Sequence, residues 1–220
     1  MSTIAVLGAG KVGTILARLA VEAGHEVFIA GSGEPSKVEL IASVLAPGAH
    51  ATTNTDAAER AEIVIAAIPL HKWASLPAAQ MAGKIVVDAM NYWWETDGKD
   101  SEFAEPDAST SEFLQARFPG SVVVKAFNHM GYHDLDEQAN ARPRKAIAVA
   151  GPEGAAARVG ELVDDLGFDP LYIGELREGV RLQPFSPAFG ANETADVLGG
   201  VVDGFPESER GREVWAALGR

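Results

Sequence analysis

The chain has 220 residues, 47% hydrophobic and 22% charged, enough to bury a sizeable core. It contains no cysteine, which excludes disulfides, thiolate metal sites, iron–sulfur clusters and a cysteine nucleophile, so any redox chemistry must come from a bound cofactor. A net charge of −13 argues against nucleic acid or an anionic membrane as partner, and the sequence has neither a signal-like start nor an apolar run of about 18 residues, so a cytoplasmic protein is expected.

Short apolar runs rich in β-branched residues predict strands at Thr3–Leu7, Glu26–Ala30, Glu62–Ile68, Lys84–Ala89, Ser121–Phe127, Lys145–Ala150 and Pro170–Ile173, with a weaker one at His50–Thr53. Their continuous apolar character is that of strands covered on both faces, as in parallel sheets. Helical patterns lie between and after them at Val12–Ala23, Ser36–Leu45, Thr55–Ala61, Thr110–Arg117, Ala155–Leu166 and Glu207–Leu218. This alternation predicts an α/β, doubly wound, mostly parallel sheet of the Rossmann kind. One domain is expected over 1–220, with a dinucleotide-binding core at 1–130. Residues 131–220 then form a small C-terminal α/β extension that completes the sheet and an acceptor pocket.

Gly8, Gly10 and Gly13 form GAGKVG between the first strand and the first helix. In that setting the first glycine permits the turn, the second lets backbone approach a pyrophosphate, and the third lets helix pack on strand. Helical N–H groups then face the phosphates. The end of the second strand should choose between NAD and NADP, since an NAD site places an acid about 20 residues beyond the glycines. Here Ser32, Gly33 and Lys37 stand in that region and could hold a 2′-phosphate, which favours NADP; Glu34 is the residue that would oppose it.

The stretch Asn91–Ser109 has no helical or strand period and reads as a long functional loop. Tyr92, Trp93 and Trp94 could stack on a ring system, or anchor the loop to the core or to a second subunit. Glu95, Asp97, Asp100, Glu102, Glu105 and Asp107 read as a solvated face, because their spacing is not that of a calcium loop. Asn91 and Asn128 each follow a core strand and could line one crevice, where an asparagine can pair with a carboxamide or a ring carbonyl. His129 stands at the end of the same strand as Asn128 and is a candidate substrate contact, with His71 and His133 weaker ones, whereas His25 and His50 read as solvent-facing turn residues.

The opening IAVLGAGKVGTILARLAVEAGHEVFIAGS, the Ile68-Pro69 pair, VVKAFN at Val123–Asn128 and VAGPEGAAARVGELVDDLGFDP at Val149–Pro170 together resemble the coenzyme F420-dependent NADP oxidoreductase family. The resemblance implies a hydride passed between NADP(H) and a deazaflavin. Carried over by position, it implies that Gly8, Gly10, Lys11, Val12 and Gly13 hold the pyrophosphate, and Ser32 and Lys37 the 2′-phosphate. Ile68 and Pro69 would flank the nicotinamide, with Ala126 and Asn128 near its carboxamide. Many relatives have an arginine where this chain has Gly33, and the aromatic segment after Met90 is longer than in the better-known deazaflavin enzymes.

No metal-ligand, nucleophile-elbow or P-loop pattern is present, as befits transfer between two carriers that supply the electronics themselves. Three functions follow: NADP(H) oxidoreduction with coenzyme F420 or a flavin, reduction of a small carbonyl or imine, or a non-catalytic dinucleotide sensor. The expected partners are a dinucleotide and a flavin-like or small-molecule cosubstrate, with a homodimer as the candidate assembly.

Overall fold

A computed structural model describes residues 1–105 and 109–219 of the chain. Eight strands, β1 (Thr3–Leu7), β2 (Glu26–Ala30), β3 (His50–Thr52), β4 (Ile63–Ala66), β5 (Ile85–Asp88), β6 (Val122–Lys125), β7 (Ala146–Ala150) and β8 (Asp169–Gly174), form one sheet in the order β3-β2-β1-β4-β5-β6-β7-β8. All neighbouring pairs are parallel except β6 and β7. The helices are α1 (Lys11–Glu22), α2 (Pro35–Leu45), α3 (Asn54–Arg60), α4 (Ala78–Met81), α5 (Trp94–Asp97), α6 (Thr110–Arg117), α7 (Tyr132–Glu137), α8 (Glu153–Asp165), α9 (Ala195–Asp203) and α10 (Glu209–Ala217). The Rossmann architecture read from the sequence is the one found.

Strand periodicity divides the core between the two faces. Ile4, Val6, Ile63 and Ile65 point to one face with Leu16, Leu19, Val159 and Val163 of α1 and α8, while Ala5, Leu7, Val64 and Ala66 point to the other with Ala57, Met81 and Leu114. Each fully buried Leu or Ile here contributes about 1.5–3 kcal/mol of transfer free energy. The N–H groups of Gly24, with φ of 85°, and His25 bond back to Val21 and Ala20, so α1 ends in a Schellman turn that aims the chain into β2. At the end of α3 the Lys84 ammonium takes the carbonyls of Ala58, Glu59 and Ala61, satisfying acceptors the helix leaves open.

The order reverses between β1 and β4: β2 and β3 lie on one side of β1, and α3 carries the chain back to the other side. In-register pairing of Leu7 with Ala30 and Ala66, of Ala66 with Asp88, and of Asp88 with Lys125 ends the five central strands at one level. The connections that follow them all emerge at the same sheet edge.

Within the mostly parallel sheet β7 runs antiparallel to β6, since AIAVA has the same pattern in either direction. Two expectations are corrected. The segment 91–109 contains a helical turn, α5, and a further turn near Phe103, while residues 106–108, and with them Asp107, lie outside the described residues. His25 is not solvent-facing: its side chain is 3% exposed, Nδ1 accepts from the Ser2 N–H (3.1 Å) and Nε2 lies 3.1 Å from Asp165. Among the described residues no helix is long and apolar enough to cross a membrane.

Candidate functional site

The three glycines between β1 and α1 meet different surroundings. A Cβ on Gly8, whose φ is +131°, would lie 2.1 Å from the Ala67 carbonyl oxygen, and one on Gly13 would lie 1.8 Å from the Gly8 carbonyl oxygen. Both glycines are therefore required by the fold itself. A Cβ on Gly10 would meet nothing within 4 Å, so this position faces open space at the helix start. Gly10 is the N-cap of α1, no side chain caps the helix, and no acid stands in its first turn. The N–H groups of that turn are left for an anion.

That space is a cleft of about 560 Å³ at the switch point of the sheet. One wall is Gly8, Ala9 and Gly10, a second is Gly31, Ser32, Gly33, Lys37, Val38 and Ile41, and a third is Ile68, Pro69, Lys72 and Ser75, with Asn54 at the start of α3. Among the described residues, two lysines and no carboxylate line it. In a chain with a net charge of −13 this is a local inversion of sign, suited to a phosphorylated ligand. Glu34 is exposed at the start of α2 and is not part of the wall.

A second cavity, of about 290 Å³, lies on the other side of the α1 N-terminus. It is lined by Val12, Ala89, Asn91, Trp93 and residues 127–132, and by Phe189 and Gly190 from the C-terminal third. Asn91 and Asn128 interlock: Asn128 Nδ2 donates to Asn91 Oδ1 (3.0 Å) and to the Leu182 carbonyl (2.7 Å), and Asn91 Nδ2 donates to the Asn128 carbonyl (2.8 Å). Those bonds fix the amide orientation and leave Asn128 Oδ1 buried with no partner among the described residues.

Beneath the second cavity lies a charged network of zero exposure. Lys125 Nζ donates to Asp88 Oδ2 (3.0 Å) and to the Met90 carbonyl (2.6 Å), Ser111 Oγ donates to Asp88 Oδ2 (2.6 Å), and the Met90 N–H donates to Asp88 Oδ1 (3.0 Å). Burial pulls the Lys125 ammonium below its ordinary pKa, while the adjacent carboxylate pulls it back. The network fixes the backbone at Met90 and thereby the departure of Asn91.

His129 is buried, and its Nε2 accepts from the Ala148 N–H on β7 (3.0 Å). The ring is neutral, its pKa lowered to about 4 by desolvation, which a backbone hydrogen bond at Ala191 partly opposes. That bond ties the turn after β6 to β7, while the residue itself is part of the second cavity's lining. His71 stands by the first cleft's third wall and pairs with Asp97, and His133 packs on Tyr132.

The three aromatic residues after Asn91 diverge. Tyr92 packs toward Phe103 and its hydroxyl donates to the Gly98 carbonyl, Trp94 lies outside with Lys99 4.5 Å from its ring centre, and Trp93 lines the cavity. Trp93 meets Phe189 edge-on at 5.5 Å and Phe185 at 6.4 Å. Phe185, with φ of 71° and 70% exposure, holds its ring at the rim.

Of the residues read from the sequence, Gly8, Gly10, Ser32, Gly33, Lys37, Ile68 and Pro69 line the first cleft, and Val12, Asn91 and Asn128 the second. Gly13 is packed beneath the turn, and Lys11 at the helix start donates to the Tyr132 hydroxyl (2.8 Å). Ala126 is fully buried in the core and lines neither cavity. Lys72 and Phe189 were not anticipated. A cation one short turn after Ile68-Pro69 was a readable signal for the first, but nothing local marks Phe189.

Comparison with known proteins places these features in context. Residues 3–92 match the family described as NADP oxidoreductase, coenzyme F420-dependent. A hypothetical protein from Sinorhizobium meliloti superposes with a TM-score of 0.78 at 28% identity, covering 88% of this chain and 96% of that one. A proposed F420-dependent NADP reductase from Arthrobacter sp. FB24 gives 0.70 at 26% identity, covering 100% and 96%. Metalloreductase STEAP3 of Rattus norvegicus is 29% identical over 79% of this chain, which spans only 34% of that longer protein.

Proposed function

We propose that the chain, whose residues 3–92 match the family of coenzyme F420-dependent NADP oxidoreductases, passes a hydride between NADP(H) and a deazaflavin, or a similar flavin-like ring, held in the second cavity. The observation that carries the reading is that the two cavities share the first turn of α1: Gly10 lines one and Val12 the other. A dinucleotide whose pyrophosphate sits on that turn has its adenosine half in the cleft with Lys37 and Lys72, and its nicotinamide half beside Asn128.

Each residue then has a task. The first-turn N–H groups bind the pyrophosphate, Ser32, Lys37 and Lys72 surround the 2′-phosphate, and the interlocked Asn91 and Asn128 stand beside the carboxamide. Ile68 and Pro69 bound the nicotinamide where the two cavities approach. Trp93 and Phe189 offer an apolar wall for a planar acceptor. The two ring systems supply the electronics, one hydride and one solvent proton converting the oxidised acceptor to its reduced form as NADPH becomes NADP⁺. The protein contributes distance, stacking and exclusion of water. No side chain need carry the proton, in keeping with the occupied Nε2 of His129.

The test mixes the purified protein with NADPH and, separately, F420, FMN, FAD and a small imine, following the nicotinamide absorbance. Turnover with F420 or a free flavin is expected, with Trp93→Ala raising the acceptor KM about tenfold while the NADPH Kd stays within about twofold. Consumption of NADPH with the imine alone, or with none of the four, would overturn the proposal.

A further inference from the structure

We infer that Asp97 is a positioning residue, a carboxylate clamp that holds the aromatic wall of the second cavity against the turn that bounds the first. The inference rests on the reading of the second cavity as the acceptor site. By sequence Asp97 is one more acid in a polar stretch, and its neighbours Glu95, Thr96, Lys99 and Asp100 are indeed exposed. Its own side chain is 1% exposed.

Both carboxylate oxygens are committed. Oδ2 accepts from the Trp93 N–H (2.7 Å), while Oδ1 accepts from the His71 N–H (3.0 Å) and lies 2.8 Å from His71 Nδ1. One side chain thus joins the residue that lines the acceptor cavity to the turn that begins at Ile68-Pro69. Among the described residues, the hydrogen bonds between segments 67–76 and 91–104 all end on this carboxylate. Leu70, fully buried, fixes the far side of the clamp in the core. The Trp93 carbonyl accepts from the Thr96 and Asp97 N–H groups and the Thr96 hydroxyl, bonds that close α5 on itself without reaching the His71 turn, and the residue, 40% exposed, touches Phe189 and Phe185 by ring edges.

Charge-assisted bonds to a shielded carboxylate are strong and directional. They matter here because hydride transfer needs reacting atoms at about 3–3.5 Å, and a displacement of about 1 Å at a positioning residue can cost two orders of magnitude. Without Asp97 the Trp93 backbone can move off the His71 turn, and the acceptor loses its wall.

The decisive experiment is a kinetic double-mutant cycle with Asp97→Asn, Trp93→Ala and the double variant, using F420 and FMN as acceptors. Asp97→Asn preserves volume but sets an amide NH₂ against a backbone N–H. It should raise the acceptor KM about fivefold to tenfold and leave the NADPH Kd within about twofold. In the Trp93→Ala background the same substitution should add little, because it acts through the side chain already removed. Purely structural damage would instead lower kcat with the folded fraction and persist in that background. If Trp93→Ala raises the acceptor KM and Asp97→Asn does not, or if the two effects multiply, the clamp is wrong and the cavity reading survives. If Trp93→Ala leaves the acceptor KM unchanged, the cavity reading falls and the clamp with it.

Discussion

The two cavities at the carboxyl edge of the sheet do their work with different parts of the chain. The first is made from the segments that follow β1, β2 and β4, and at its centre the chemistry is backbone chemistry: unbonded N–H groups and the absence of a side chain at Gly10. The second is made from side chains of segments far apart in sequence, Val12, Asn91, Trp93, Asn128 and Phe189, each held by its own support. Asn91 and Asn128 hold each other, Asp88 and Lys125 hold Met90, and Asp97 holds Trp93. A phosphate site of the first kind is fixed once the fold forms. Under the proposed function, an acceptor site of the second kind can change partner ring by changing one support, so the two halves of the proposed reaction should respond differently to substitution.

The largest contrast is expected within the glycine turn. Gly10→Val should fold, since the added side chain meets open space, yet it fills the volume meant for a pyrophosphate, and NADPH affinity should fall at least a thousandfold, about 4 kcal/mol. Gly13→Ala should do the reverse. Its methyl would sit 1.8 Å from the Gly8 carbonyl oxygen, so the helix must shift at a cost of about 1–3 kcal/mol in unfolding free energy. Paired titration and thermal melts measure both; a Gly10→Val protein that binds NADPH normally would place the phosphates elsewhere.

The second cavity should be the acid-sensitive region. His129 keeps a pKa of about 4 when folded against about 6.5 when unfolded, so between those values the unfolded chain binds more protons and stability falls as pH falls. The loss is complete below the folded value and is of order 3 kcal/mol. Its physical cause is that a protonated Nε2 cannot accept from the Ala148 N–H. His129→Gln, which cannot titrate, should lose markedly less stability than the parent between pH 7 and 4.5 in urea melts. Parallel losses would show that other groups govern acid unfolding.

This division also explains what could be read from the sequence. Strand–turn–helix units are local, so the glycine turn, the strand ends and the absence of an acid after Ala30 were legible, and with them the residues that line the first cleft. Asn91 and Asn128 were legible as a pair because each follows a core strand. The supports were not. Asp97 belongs to an acidic stretch whose other described members are exposed, and only its fold against His71 sets it apart. Lys125 looked like part of a motif, and its ammonium's burial against Asp88 depends on the register of β5 with β6. The C-terminal wall was illegible for another reason: ADVLGGVVD carries two glycines that mask α9, and residues 176–190 have no period.

A smaller effect tests the electrostatics of the first cleft. Lys37→Ala and Lys72→Ala should each reduce the preference for NADPH over NADH about tenfold, or about 1.4 kcal/mol, with NADH affinity nearly unchanged. Lys72 is the informative one, because it reaches the cleft from the wall opposite Ser32 and Gly33. If it takes over from the cation missing at Gly33, its loss should be felt by NADPH alone. An equal loss for both dinucleotides would assign it to the pyrophosphate.

The smallest effect belongs to the residue that stands between the two regions. Lys11 was expected at the pyrophosphate, yet its ammonium donates to the Tyr132 hydroxyl at 2.8 Å and lies 4.4 Å from the centre of that ring. To reach a phosphate it must leave Tyr132, and what it gains there it loses here. Both groups are at the surface, where such contacts contribute at most about 1 kcal/mol. Lys11→Met should therefore weaken NADPH binding by no more than about threefold, far less than Gly10→Val. Tyr132→Phe should leave NADPH affinity the same or slightly tighter, since it releases the ammonium from the hydroxyl while keeping the ring that lines the second cavity. A tenfold loss in Lys11→Met would mean that the lysine swings onto the dinucleotide, and the two cavities would then be coupled through α1 and not merely adjacent on it.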